Sequence, residues 1–206
     1  MYQYHIARMK LNRLPRSFYD RPAVDVARDL LGKVLVHQLP DEKRVGRIVE
    51  TEAYVGPEDR ACHASRGRTN RTAVMFGPPG FAYVYLIYGM YDCFNIVTER
   101  DGFPAAVLIR ALEPVSAPEL SVPYDQRRQW ERIASGPGKL TRFMRIDRRL
   151  NGADLCGSVL YLEDWGHVIE PQEIVVTTRI NVDYAGEWKD KPLRFYLKHS
   201  PSVSRR

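Results

Sequence analysis

Two carboxylates, Glu50 and Glu52, lie within the run Gly46-Arg47-Ile48-Val49-Glu50-Thr51-Glu52-Ala53-Tyr54. In an extended strand Ile48, Glu50, Glu52 and Tyr54 point to one face. Acidic groups beside apolar neighbours are costly to bury unless they are paired or put to use. A lone guanidinium, Arg110, interrupts the apolar run Ala106-Val107-Leu108-Ile109-Arg110-Ala111-Leu112. Burying it unpaired is expensive, so it calls for a carboxylate, with Glu52 and Glu113 as candidates. A carboxylate held ionised by an arginine can act as a general base on water. A structural ion pair and an exposed acidic edge are the alternatives that these residues leave open.

The second group is aromatic. Tyr83, Tyr85, Tyr88 and Tyr91 fall close together, with Tyr54 and His63 elsewhere in the chain. Ring faces stack on nucleobases and attract cations, so an aromatic slot suits a base made positive by alkylation. Ordinary β-core would use tyrosines equally well. Tyr88 differs, because it falls on the turn Tyr88-Gly89-Met90-Tyr91, where a large ring has little core to enter. Proteins that kink DNA insert such wedges into the minor groove. The third group is charge: Asp125 to Arg149 holds eight basic residues against three acidic ones. Within it, Ser135-Gly136-Pro137-Gly138-Lys139 reads as a helix start whose free N–H groups suit a phosphate. It lacks the spacing of a P-loop, so nucleotide hydrolysis is not indicated.

The elements that must carry these groups are legible. Ala23, Val26, Ala27, Leu30 and Leu31 form one apolar helical face, with Asp20 as cap, Pro22 in the first turn and Gly32 as the stop. Lys33–Gln38 and Arg44–Tyr54 read as a hairpin, and 62–79 as a basic, turn-rich loop. Ala82–Ile87 and Asp92–Val97 read as a second hairpin, with Tyr88 at its tip. Pro104–Leu112 reads as a strand, 124–134 and 139–145 as helices, and strands return near Leu160, at Ile174–Ile180 and at Leu193–Leu197. Mixed elements without regular βαβ alternation predict an α+β fold: one domain, a mainly antiparallel curved sheet, surrounding helices and a protruding β-hairpin.

The 206 residues, 44% apolar, suit one packed domain, and the net charge of +6 attracts polyanions. Cys62, Cys93 and Cys156 are odd in number and show no metal-ligand spacing, which predicts free thiols and no zinc site. Met1 to Lys10 contain no secretion-type apolar run, and 76–91 are too rich in Gly and Pro to span a bilayer, so an intracellular protein without membrane association is expected.

The run Arg47 to Asp59 followed by Cys62-His63 resembles the 3-methyladenine DNA glycosylase family of the mammalian alkyladenine type. So do Met75-Phe76, Pro79-Gly80, Tyr83 to Tyr91, Asn95, Arg110 to Pro114, Ser135-Gly136-Pro137 with Lys139-Leu140, and Ala185 to Tyr196. The resemblance runs in order through about residues 14 to 203, leaving 1–13 as an N-terminal segment and 204–206 as a tail. It implies that Glu52 activates the water attacking C1′, and that Arg110 and the main-chain carbonyl of Ile180 hold that water. Tyr54, His63 and Tyr85 would enclose the flipped base, Tyr88 would fill the gap in the duplex, and Asn95 would crowd the 2-amino group of guanine. Asn181 and Asp183 stand where the family often has glycine; both residue types tolerate left-handed backbone.

The implied protein is a monomeric, monofunctional glycosylase acting on double-stranded DNA that contains damaged purines. It needs no cofactor and works in the cytoplasm or nucleoid, or in the nucleus of a eukaryote. The missing N-terminal extension of the animal enzymes favours a prokaryotic source. Because the resemblance puts catalysis on the second glutamate, Glu50→Gln is expected to keep most activity. Two rivals remain in view. Glu50 and Glu52, roughly 7 Å apart along a strand, approach the spacing of inverting O-glycosidases. A non-catalytic nucleic-acid module would also use the basic face and the tyrosines.

Overall fold

The computed structural model describes residues 12–115 and 127–206. Short β1 (Asn12–Arg13) precedes two helices, α1 (Arg16–Tyr19) and α2 (Ala23–Asp29). Strands β2 (Val34–Gln38) and β3 (Lys43–Tyr54) form the expected antiparallel hairpin, with Val34 opposite Arg47. Two 3-10 turns, His63–Arg66 and Ala73–Phe76, give the basic loop its shape. Then come β4 (Ala82–Ile87), β5 (Tyr91–Thr98) and β6 (Ala105–Pro114). Helices α3 (Arg127–Glu131) and α4 (Pro137–Met144) follow, and β7 (Leu160–Asp164), β8 (Ile174–Thr177) and β9 (Arg194–Leu197) complete the sheet. The start of the helix read at 124–134, including Asp125, lies outside the described residues, as do Met1 to Lys10.

Among the described residues nine strands join one sheet, in the order β1-β7-β2-β3-β6-β5-β4, with β9 between β3 and β8, and every pair is antiparallel. The long β3 holds it together. Its first half pairs with β2, whereas Glu50, Thr51 and Glu52 pair with Tyr196, Phe195 and Arg194 of β9. Along its other edge it pairs with β6, and the register slips locally between Ile48 and Thr51. Such a slip bends a strand and re-aims its side chains. Ile48 accordingly joins Val49 in the main core instead of sharing the surroundings of Glu50 and Glu52.

Beyond that point alternation is strict. Val84, Phe94, Ile96, Val107 and Ile109 enter the main core, where α2 contributes Ala23, Val26 and Ala27, followed by Leu30. Each Val, Ile, Leu or Phe among them, removed from water, contributes about 1.5–3 kcal/mol. Their neighbours Tyr83, Tyr85, Cys93, Asn95, Leu108 and Arg110 line a cleft on the other side. The helix forms without its expected cap. Pro22 is the N-cap and makes no side-chain hydrogen bond, while Asp20 closes α1. Asp20 lies too far ahead of Ala23 to reach the orphan N–H groups of the first turn.

The β4–β5 hairpin is anchored on its β5 side just below the tip, and its turn projects into solvent. The ring of Tyr91 lies over Gly138 in the first turn of α4, where a Cβ would approach it to 2.8 Å. The Thr141 hydroxyl also donates to the Asp92 carbonyl at 3.0 Å. At the tip, Tyr88 is 71% exposed and Met90 69%.

Candidate active site

Glu52 is fully buried, and three groups converge on it. Its Oε1 accepts the main-chain N–H of Ile180 at 2.8 Å and lies 3.2 Å from Nη1 of Arg110 on β6. Its Oε2 accepts the phenol of Tyr54, two residues along the same strand, at 3.0 Å. Burial, then the negative charge of Glu52, push the Tyr54 phenol well above its usual range, which keeps it a proton donor. Burial works against the charge on Arg110, but Glu52 and Glu50 outweigh it and raise its pKa. The carboxylate that answers Arg110 is therefore Glu52, one of the two candidates named from the sequence, jointly with Glu50. Glu113 is not involved. Three residues on from Arg110 along a strand, it points to the opposite face, and it pairs with Arg47 across from it.

Glu50 is equally buried and fully engaged. Its Oε1 accepts Nε of Arg110 at 3.1 Å, Nη1 of Arg194 at 2.8 Å and the hydroxyl of Ser204 at 2.9 Å. Its Oε2 accepts the main-chain N–H of Ser204 at 2.7 Å. Two carboxylates and two guanidinium groups thus form one neutral, buried chain. This arrangement does not suit the two-carboxylate chemistry of an inverting O-glycosidase, which needs both acids facing one substrate with a water between them.

In front of this chain lies a cleft of about 450 Å³. Tyr54, His63, Tyr85, Tyr88, Asn95, Arg110 and Ile180 all line it, so β3, β4, β5, β6, the turn between β4 and β5, the 63–66 turn and the loop after β8 bring these residues together, with the fully buried Glu52 bonded to three of them. His63 and Tyr85 meet edge to face at 4.5 Å between ring centroids, and the Arg71 guanidinium lies 4.8 Å from the Tyr85 ring centre. The His63 Nδ1 is paired with the Tyr83 hydroxyl at 2.9 Å. Burial, then Arg71 and Arg66, lower the His63 pKa to about 4. The imidazole is therefore neutral at physiological pH and does not repel a cationic ring. An NMR titration of its ring nitrogens should show a midpoint near 4; a midpoint near 6.5 would mean that the ring is solvated and not part of the slot.

Two residues that matter here are not singled out by their local sequence. Arg179 and Asp59 form a fully buried pair, with Nη2 to Oδ1 at 2.8 Å and Nη1 to Oδ2 at 2.5 Å. Arg179 also donates to the Ala53 carbonyl and stacks over the Tyr54 ring at 4.7 Å. Since Ile180 follows Arg179 in the chain, the pair fixes two of the three groups on Glu52. Their 120-residue separation hides the pairing, and an arginine directly before a proposed site residue is the one local signal of it. That loop departs from the strand expected at 174–180, because Arg179 turns inward to Asp59 and β8 ends at Thr177. Asn181 adopts φ 59°, the left-handed conformation that asparagine tolerates, and Asp183 does not show a positive φ.

The start of α4 gives the cleft a basic wall, with Gly136, Pro137, Gly138, Lys139 and Arg142 lining it. The three cysteines are free thiols. Among the described residues no His, Cys, Asp and Glu cluster could hold a metal ion, and no helix is long and apolar enough to cross a membrane.

Residues 17–201 match the model of a family described as methylpurine-DNA glycosylase. A protein of Methanocella arvoryzae is 60% identical over 195 residues, which cover 94% of this chain and 96% of the relative. One of Alkaliphilus oremlandii is 52% identical, covering 94% of this chain and all of the relative. A third, from Legionella pneumophila strain Lens, is 50% identical over 95% of this chain and all of the relative. Each is named "putative 3-methyladenine DNA glycosylase".

Proposed function

The chain belongs to the methylpurine-DNA glycosylase family, and from that membership we propose that it excises alkylated purines, 3-methyladenine among them, with a water activated by Glu52. The observation that carries this reading is the environment of Glu52. A carboxylate offers about four acceptor sites. Arg110 and the Ile180 N–H face Oε1, and Tyr54 takes one site on Oε2. One site on Oε2 remains for a water, beside residues that wall the cleft. With a purine in the cleft, that water attacks C1′ and gives its proton to Glu52. The C1′–N9 bond breaks, its electron pair leaves with the base, and an abasic site remains. A positive charge on the alkylated purine makes it a better leaving group.

The damaged nucleotide reaches the cleft by flipping out of the duplex, which costs a few kcal/mol and least for weakly paired lesions. Tyr88 occupies the vacated space. Its φ of 53° is a conformation that a ring-bearing residue adopts at a cost of roughly 1–3 kcal/mol, and such strain gathers at functional positions. Tyr88→Ala should slow excision from fully paired duplex about tenfold or more, and from single-stranded or mismatched substrate much less. Equal losses on all three substrates would remove the wedge assignment.

Asn95 supports selectivity. It is buried, and its side-chain amide donates to the Tyr83 carbonyl at 3.1 Å and to that of Cys93 at 3.5 Å, so it cannot swing away from a bulky base edge. Asn95→Ser opens this space and should allow release of undamaged guanine above the wild-type level. Unchanged guanine release in the variant would place discrimination elsewhere.

The direct test is a duplex with one 3-methyladenine or hypoxanthine. Release of free base, with strand breakage only after alkali, fits a monofunctional enzyme. Breakage without alkali points to a covalent lyase instead.

A further inference from the structure

We propose that Ser204 is a positioning residue for excision, fixing Glu50 so that Arg110 stays turned toward Glu52; the proposal rests on the reading of Glu52 given above. Arginine and carboxylate groups prefer to pair through two parallel N–H bonds. Left to itself, Arg110 would therefore take both oxygens of Glu50 through Nε and Nη2, and the turn of the guanidinium would draw Nη1 out of line with Glu52. Ser204 stands in the way. Its main-chain N–H holds Glu50 Oε2 at 2.7 Å, and its hydroxyl, bonded to Oε1 at 2.9 Å, stands between the carboxylate and Nη2 of Arg110. Arg110 is thereby confined to a single bond to Glu50, from Nε at 3.1 Å, and its Nη1 remains 3.2 Å from Glu52. The same hydroxyl accepts Nη2 of Arg110 at 3.4 Å, which steadies the guanidinium at a third corner.

The segment that carries Ser204 is built in, although its sequence reads as a tail after the domain. Ser202 and Val203 are buried. The Ser135 hydroxyl donates to the Val203 carbonyl at 3.3 Å, and Nη1 of Arg194 donates to the Arg205 carbonyl at 2.9 Å. Arg194 thus ties Glu50 and the segment together through a single nitrogen. Glu50 already has two cationic partners for its charge, so the added contacts of Ser204 govern which way Arg110 points.

The test is single-turnover release of hypoxanthine from a defined duplex by the full chain, with enzyme concentration varied to separate the saturating rate from half-saturation. Ser204→Ala should lower the saturating rate about tenfold, the order carried by a hydrogen bond to a charged group. Half-saturation and melting temperature should stay near wild type, and Ser204→Thr, which keeps the hydroxyl, should restore most of the rate. A wild-type saturating rate in Ser204→Ala overturns the proposal. So does a loss that follows the fraction unfolded and is equal in Ser204→Thr. Glu52→Gln in the same assay separates the two readings. If it is inactive while Ser204→Ala is unimpaired, only the positioning proposal fails; if it is fully active, the base assignment itself fails.

Discussion

Glu52→Gln is expected to lower the rate of hypoxanthine release by about a hundred to ten thousandfold, the range that general-base catalysis contributes. The amide oxygen can still accept from the Ile180 N–H while the amide NH2 donates to the Tyr54 oxygen, so the local shape is retained while the proton acceptor is lost. Affinity for duplex should be unchanged or slightly higher, because one negative charge near the DNA is removed. Cationic lesions should suffer less than neutral ones, since their glycosidic bond needs less help to break. Quantifying released base from matched duplexes carrying hypoxanthine or 7-methylguanine checks both statements. Undiminished hypoxanthine release by a folded variant would take the base assignment away from Glu52.

The second large effect is on stability. Glu50→Gln takes from Arg194 its carboxylate partner and leaves Arg110 with Glu52 alone, inside a buried chain. Removing one partner from such a pair destabilises by roughly 3–5 kcal/mol, because the charge left behind is uncompensated. For a protein of this length each kcal/mol shifts the melting temperature by about 2–4 °C, so a fall on the order of 10 °C is expected. This differs from the sequence-based expectation that Glu50→Gln keeps most activity, which concerns the chemical step alone. Thermal unfolding followed by circular dichroism decides it. A melting temperature equal to wild type would show that Glu50 does not balance the two arginines.

Much of this protein is legible in its amino-acid sequence. Tyr83 and Tyr85, Asn95, Leu108 and Arg110 share a face because strand side chains alternate, a steric rule that acts residue by residue. The same local periodicity marks Val26, Ala27 and Leu30 as the inner face of α2. Tyr88 is recognisable as a tip residue because a short link with glycine between two β-like runs leaves little choice of geometry. The motifs around Glu52, Tyr54 and His63 are long enough to identify the family by resemblance.

What the sequence by itself does not determine is which charge meets which. Glu50, Glu52 and Glu113 are chemically interchangeable as partners for Arg110, and only strand parity and the register of β3 on β6 separate them. The slip at Ile48–Thr51 is invisible to an alternation rule, yet it sends Ile48 into the core while both glutamates meet Arg110. Arg194 lies 144 residues from Glu50, Ser204 lies 154 away, and Arg179 lies 120 from Asp59. Local propensity carries no information over such spans. Their pairing is decided where β9 replaces β2 along β3 and where the loop after β8 turns inward, because a buried charge must find a partner and the tertiary fold determines which ones are within reach.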